Sequence, residues 1–130
     1  MSDLLQAMAA SASGMSAQGQ RLRLSAENLA NVDTPGYRRK LTSFEALATE
    51  RSGGAAVRTG RVRLDQGELP RIYDPAHPLA DEQGYYDGSS VDLVVEIADS
   101  REAQRSYEAN LRLLDQSRQM TRGLLELLRR

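Results

Sequence analysis

From Leu5 to Leu29 the apolar positions Leu5, Met8, Ala12, Met15, Gly19, Leu22, Ala26 and Leu29 recur at alternating spacings of three and four. That rhythm predicts a helix with a coiled-coil-like stripe, although an ordinary helix laid on a core carries the same period. Several members are small, so the stripe permits close approach while burying little area. Ser2 is the expected N-cap, and Asp3 complements the helix dipole. A second helical pattern follows Asp87-Gly88-Ser89-Ser90 and continues to Leu128 without a proline. Ser89-x-x-Asp92 has capping-box spacing. Val91 to Ile97 is rich enough in β-branched residues to suit a strand, but Val91, Val94, Val95 and Ala98 share a helical face, and a helix is the reading adopted. Farther along, Tyr107, Leu111, Leu114, Leu125 and Leu128 line one stripe, interrupted by Arg118 and Thr121. The seam is expected to close best at Leu111-Leu114 and near the end.

Between the helices the pattern breaks sharply at Thr34-Pro35-Gly36-Tyr37. Pro35 disfavours helical dihedrals at Thr34, and Pro-Gly at the two central positions suits a type II turn, whose second position needs positive φ. The first helix should therefore stop near Asp33. Leu41 to Leu47 reads as a short helical turn, broken by Arg51-Ser52-Gly53-Gly54. Val57 to Leu64 reads as short strands around Gly60, and Leu69 to Tyr73 as another. Asp74 to Gly84 is turn-rich and expected on the surface. At the usual rise the terminal helices would span roughly 40 and 55 Å, long enough to pair. The predicted fold is mainly α: long N- and C-terminal helices paired as an elongated antiparallel coiled coil, with a small β/turn-rich insert. The expected units are residues 1–33, 34–89 and 90–130.

Composition sharpens this picture. The 130 residues include no Trp, one Phe and five Tyr, a modest supply of large core side chains, so neighbours are expected to complete the core. Seventeen basic and 18 acidic residues leave a formal charge of −1, which argues against a nucleic-acid or anionic-membrane binder. Lys40 is the only lysine. The arginine bias suits a subunit among neighbours, as it suits a GC-rich genome. With no cysteine there is no disulfide, thiol nucleophile or zinc-thiolate site. No basic residue precedes Arg21 and the apolar N-terminal positions are interrupted, so no secretory signal is expected, nor is a membrane span. Those features alone make a cytoplasmic protein the default.

Candidate chemistry is sparse. His77, the single histidine, lies between Pro75 and Pro78 with Asp74, Asp81 and Glu82 nearby. An imidazole among carboxylates can hold a metal or move a proton, yet the spacing matches no catalytic motif, and a loop residue that packs locally is the expectation. Arg38-Arg39-Lys40 is the densest basic cluster, suited either to a neighbour's carboxylates or to solvent.

Three blocks carry a family resemblance. The first is Asn28-Leu29-Ala30-Asn31 with Thr34-Pro35-Gly36-Tyr37-Arg38. The second is Tyr73-Asp74-Pro75-x-His77-Pro78-x-Ala80-Asp81-x-x-Gly84-Tyr85. The third is Val91 to Met120, with Glu102-Ala103-x-x-x-Tyr107-Glu108-Ala109-Asn110. Together they resemble the bacterial flagellar basal-body rod proteins, and the second block is most like the proximal-rod members. Ser89-Ser90-Val91-Asp92 departs from the family's Pro-Asn-Val-Asn type of sequence, and Tyr86 from its usual aliphatic residue.

The resemblance implies a non-enzymatic subunit without cofactors, assembling helically with copies of itself and other rod proteins to transmit torque. It further implies a rod-to-membrane-ring adaptor and the flagellar type III export apparatus as partners, and export to the periplasmic rod without a cleaved signal. Asn28, Ala30, Asn31, Thr34, Pro35, Gly36 and Tyr37 would be its motif and turn residues. Leu5, Met8, Met15, Leu22, Leu29, Tyr107, Leu111, Leu114, Leu125 and Leu128 would line its assembly helices. Two competing classes are a soluble coiled-coil adaptor and a small metal-dependent hydrolase centred on Asp74, His77 and Asp81.

Overall fold

The computed structural model describes residues 2–47 and 56–130. Helix α1 spans Ser2–Ala30 and helix α2 spans Leu93–Arg129. Ser2, expected as a cap, is the first residue of α1, and Asp3 sits in its first turn. The helix ends by tightening: the amides of Asn31 and Val32 bond back three residues, to Asn28 and Leu29, at 3.1 and 3.3 Å. Asp92, rather than Ser89, caps α2. Its backbone is extended and its carboxylate accepts from the amides of Val94 and Val95 at 3.0 and 3.3 Å. Ser89 Oγ instead accepts from the Val91 amide in the turn before the helix, so the helix starts later than the capping-box spacing suggests.

The insert is built from paired short strands. Strand β1 (Lys40–Leu41) runs antiparallel to β4 (Arg63–Leu64), and β2 (Phe44–Ala46) to β3 (Val57–Thr59). Leu41 to Leu47 is thus strand-forming and not the expected helical turn. Pairing with the segment from Val57 to Leu64 overrides local propensity, and the Gly60 amide bonding to Ser43 O at 2.7 Å joins the two ladders into one bent ribbon. The expected break at Arg51-Ser52-Gly53-Gly54 lies outside the described residues. Strand β5 (Arg71–Tyr73) pairs with β6 (Tyr85–Asp87), a strand the sequence pattern did not reveal, and the turn-rich stretch joins them. Gly84, at φ 86°, turns the chain into β6 so closely that a Cβ there would meet the Tyr73 ring at 2.9 Å.

Packing places α1 between two partners. On one side, contacts with α2 descend as α1 ascends: Met8 meets Thr121, Gly14 meets Asn110, Gly19 meets Tyr107, and Asn28 meets Glu96. On another side lies the ribbon, where the Val57 amide donates to Ser13 Oγ and Thr59 Oγ1 donates to Gln20 Oε1. The deepest positions of α1 are consequently Ser11, Ala17, Leu24, Ser25 and Asn28, one or two residues ahead of the predicted stripe. At about 100° of rotation per residue, the packed line is turned away from the apolar one. Met8, Met15, Leu22 and Leu29 are half-buried, and Leu5 is exposed.

On α2 only Glu96 and Ala103 are buried, Tyr107 and Leu114 are half-buried, and Leu111, Leu125 and Leu128 are exposed. The buried part of the α2 seam therefore lies at Glu96 to Ala103, and not at Leu111-Leu114 or near the end. Val91 is buried ahead of α2, whereas Val94 and Val95 point to solvent, so the expected shared face is not a packed one.

Candidate functional site

The best-ordered polar chemistry gathers where the last turn of α1, the Pro-Gly turn, the start of the ribbon and the first turns of α2 meet. Asn28 is 1% exposed, and its amide uses every hydrogen-bonding valence it has. Nδ2 donates to Lys40 O at 3.0 Å and to Glu96 Oε1 at 3.2 Å. Oδ1 accepts from Tyr37 Oη at 3.0 Å and from the Lys40 amide at 2.9 Å. A side chain with two donors and two acceptors at this reach is Asn; Asp lacks the donors and Leu lacks everything.

Glu96 is equally buried, and an unpaired carboxylate there would be prohibitively desolvated. Its other oxygen accepts from Arg39 Nε at 2.5 Å, while Arg39 Nη2 donates to Asp99 at 2.5 Å. Glu96 and Asp99, three residues apart on α2, present their carboxylates to one guanidinium fork. Burial works against the Arg39 cation, but the hydrogen bonds and charges of Glu96 and then Asp99 outweigh it and raise its pKa. Burial also pushes the Tyr37 phenol up; Lys40 opposes this, and Glu27 and Glu96 add to it. Arg21 lies at the margin, 3.7 Å from Asp99 and 3.5 Å from Glu102. A cleft of about 320 Å³ opens beside the cluster, with Leu41 and Phe44 of the ribbon on its other wall.

The remaining motif residues build the turn that delivers Tyr37, Arg39 and Lys40. Asn31 Nδ2 donates to Glu27 O at 2.8 Å, and its Oδ1 accepts from Thr34 Oγ1 at 3.0 Å. The Tyr37 amide closes the turn on Thr34 O at 3.2 Å, with Gly36 at φ 73° as the Pro-Gly sequence requires. The Gly36 amide reaches Asp87 O at 3.1 Å, and the Ser90 amide reaches Tyr37 O at 2.9 Å, so the turn also holds the segment entering α2. Pro35 is half-buried, and Ala30 is exposed at the helix end.

Sequence reading singled out Asn28 and Tyr37 but not Glu96, Asp99 or Ser90, whose Oγ accepts from the Arg39 amide at 2.7 Å. The available signal was a Glu and an Asp three apart at the head of an otherwise β-branched run.

His77 is not at this cluster. It stacks on Tyr86, with centroids 3.9 Å apart and planes 10° apart, and its Nδ1 accepts from the Leu79 amide at 3.1 Å. Asp74 accepts from the Ala76 amide, and Asp81 from the amides of Gln83 and Tyr85 and from Arg71. Those contacts, the Tyr85 amide foremost, lower the pKa of Asp81. All three residues are engaged in shaping their own loop.

Residues 8–38 match the family described as "Flagella basal body rod protein", and residues 82–127 match "Flagellar basal body rod FlgEFG protein C-terminal". Among curated relatives, the flagellar basal-body rod protein FlgC of Agrobacterium fabrum is 39% identical, covering 90% of this chain and 89% of its own. FlgC of Escherichia coli O6:H1 is 35% identical over 83% of this chain and 85% of its own, and FlgC of Bacillus subtilis is 31% identical over 90% and 93%. The chain belongs to the flagellar basal-body rod protein family.

The two rod-family matches meet at the polar cluster. The N-terminal one contains Asn28 to Tyr37, and the C-terminal one contains Glu96 and Asp99, so the cluster joins the two matched segments, with Arg39 and Lys40 just beyond the first. This is a structural family and not an enzymatic one, which sets the hydrolase reading of Asp74, His77 and Asp81 aside. No described helix is long and apolar enough to cross a membrane.

Proposed function

We propose that this chain is a structural subunit of the flagellar basal-body rod, of the proximal type, stacking helically with copies of itself and with other rod proteins to transmit torque. The observation that carries the reading is an uncovered leucine-rich end on a chain related over most of its length to rod proteins. Leu5, Met120, Leu124, Leu125, Leu127 and Leu128 all stand open in the single chain. Solvent-exposed apolar rows of this kind mark association surfaces. Residues 1–33 and 90–130 would form the axial core as an antiparallel coiled coil, a pairing supported by the descending order of α1–α2 contacts, with 34–89 as the insert. Leu5, Met8, Met15, Leu22 and Leu29 would then face neighbouring helices, as would Tyr107, Leu111, Leu114, Leu125 and Leu128.

Passage through the type III export apparatus without a cleaved signal, residence in the periplasmic rod and contact with a rod-to-ring adaptor complete the proposal. Cryo-electron microscopy of basal bodies from a strain whose only copy carries a small tag should place tag density in the rod. Tag density elsewhere, or basal bodies of normal composition without the chain, would refute it.

A further inference from the structure

Two exposed surfaces at opposite ends of the molecule both carry uncovered apolar side chains and have opposite charge. One is the β5–β6 hairpin, which is tied beside the Pro-Gly turn by the Gly36 amide on Asp87 O. Its Tyr73 and Leu79 are each 64% exposed, and Arg71 lies over the Tyr85 ring at 5.8 Å. Within residues 71–87 there are four carboxylates, Asp74, Asp81, Glu82 and Asp87, and one cation, Arg71, which already answers Asp81 and Asp87; Arg38 lies alongside. The other surface is about the last two turns of α2, beyond Thr121 and its contact with Met8. There Leu127 and Leu128 are 67% and 78% exposed, and residues 122–130 hold three arginines against Glu126 alone. None of those arginines has an ion-pair partner among the described residues.

We infer that the acidic, tyrosine-rich hairpin of one copy receives the arginine- and leucine-rich tip of α2 from the next copy, in a head-to-tail contact. This rests on the rod-subunit reading and names the surfaces by which it stacks. Two basic tips would repel each other, as would two acidic hairpins, so charge selects the unlike pairing. Joined end to end, the two surfaces make a heterologous contact that leaves one free surface at each end and so propagates, whereas two copies laid antiparallel would satisfy both contacts at once and give a closed dimer in place of a ladder. Exposed ion pairs supply little energy singly; Leu127 and Leu128 seated against Tyr73 and Leu79 supply the burial, and the charges set orientation and partner.

The absence of cysteine makes the test direct. Full-length Leu79→Cys and Leu128→Cys proteins are mixed and oxidised at high concentration, and the double variant is oxidised within isolated basal bodies. The expected result is the mixed disulfide in preference to like pairs, a ladder from the double variant, and loss of both on raising salt. Adding Arg122→Glu and Arg129→Glu to the Leu128→Cys partner should cut the mixed product on the order of tenfold. Dominant Leu128-to-Leu128 products would overturn the inference in favour of a symmetric tip contact, as would no disulfide in either sample. If basal bodies contain the chain but give no ladder, the rod reading stands and this contact falls. If purified protein forms ladders while basal bodies lack the chain, the contact stands and the rod reading falls.

Discussion

The two ends of the helix pair are held by opposite means. At the turn end the closing contacts are polar and satisfied: Asn28 spends four hydrogen bonds, and Glu96 and Asp99 both pair with Arg39 while Arg21 approaches Asp99. At the other end the side chains are apolar and unsatisfied, with Leu124, Leu125, Leu127 and Leu128 in solvent. Hydrogen-bonded polar groups fix geometry because each partner must sit at one distance and angle, whereas leucines accept any close-packed neighbour. The comparison teaches a division of labour, in which the turn end specifies the chain's own geometry and the leucine end is the surface proposed above for neighbours to bury.

The sharpest way to break this contrast is Glu96→Ala. It leaves Arg39 Nε and one Asn28 N–H without acceptors at a buried site, with Asp99 still holding the other end of the guanidinium, and loss of one partner from a buried pair should cost about 3 kcal/mol. Urea unfolding monitored by circular dichroism checks this, and a change below about 1 kcal/mol would show that water reaches the cluster. Next in size is Gly36→Val, at about 1–3 kcal/mol. A Cβ at Gly36 meets nothing within 4 Å, so the whole cost is the positive φ, and Gly36→Asn should be milder. The Val variant should also be poorly incorporated into rods and impair swimming, because Tyr37, Arg39 and Lys40 would be misdirected. Swimming at the wild-type level would show that the turn is not a pivot.

A smaller effect follows from Tyr37. Its folded-state pKa is raised above the ordinary 10.0, so its contribution is intact below that value and lost as pH rises through the folded one. Tyr37→Phe removes one hydrogen bond, worth about 1 kcal/mol at neutral pH, and should flatten the alkaline decline. Equal alkaline slopes in the two proteins would assign the decline to other groups. Smallest of all should be Leu127→Ser with Leu128→Ser, each within about 0.5 kcal/mol in the isolated chain. The same double variant should be depleted from purified rods. Amide exchange ought to be slow near Asn28 and Glu96 and fast beyond Thr121 in the free protein, and uniform protection would erase the contrast.

Much of the fold was legible in the sequence. Apolar periodicity located both helices, Pro35-Gly36 located the turn, and Gly60 marked the ribbon's bend. What escaped notice was which face packs. Ser11, Ser25 and Asn28 carry no apolar signal, yet they are buried because α1 lies between α2 and the ribbon. A stripe calculation assumes one partner. The cluster was half visible: Asn28 and Tyr37 stand in a recognisable block, but their meeting with Glu96 depends on how two distant helices align, and no local pattern encodes that. Strand β6 was hidden because its Tyr-Tyr-Asp sequence follows a loop and gains strand character only from β5.

The Asn28–Glu96 bond joins residues 68 apart in the chain. Closing a loop of that length costs roughly 4 kcal/mol of chain entropy before any contact repays it. Neither α1 nor the ribbon can offset that cost alone, since the ion pairs with Arg39 come only from α2. Read out from its N-terminus, the chain can lay the ribbon on α1 early, but the contacts of Glu96 and Asp99 wait until about three-quarters of it has appeared.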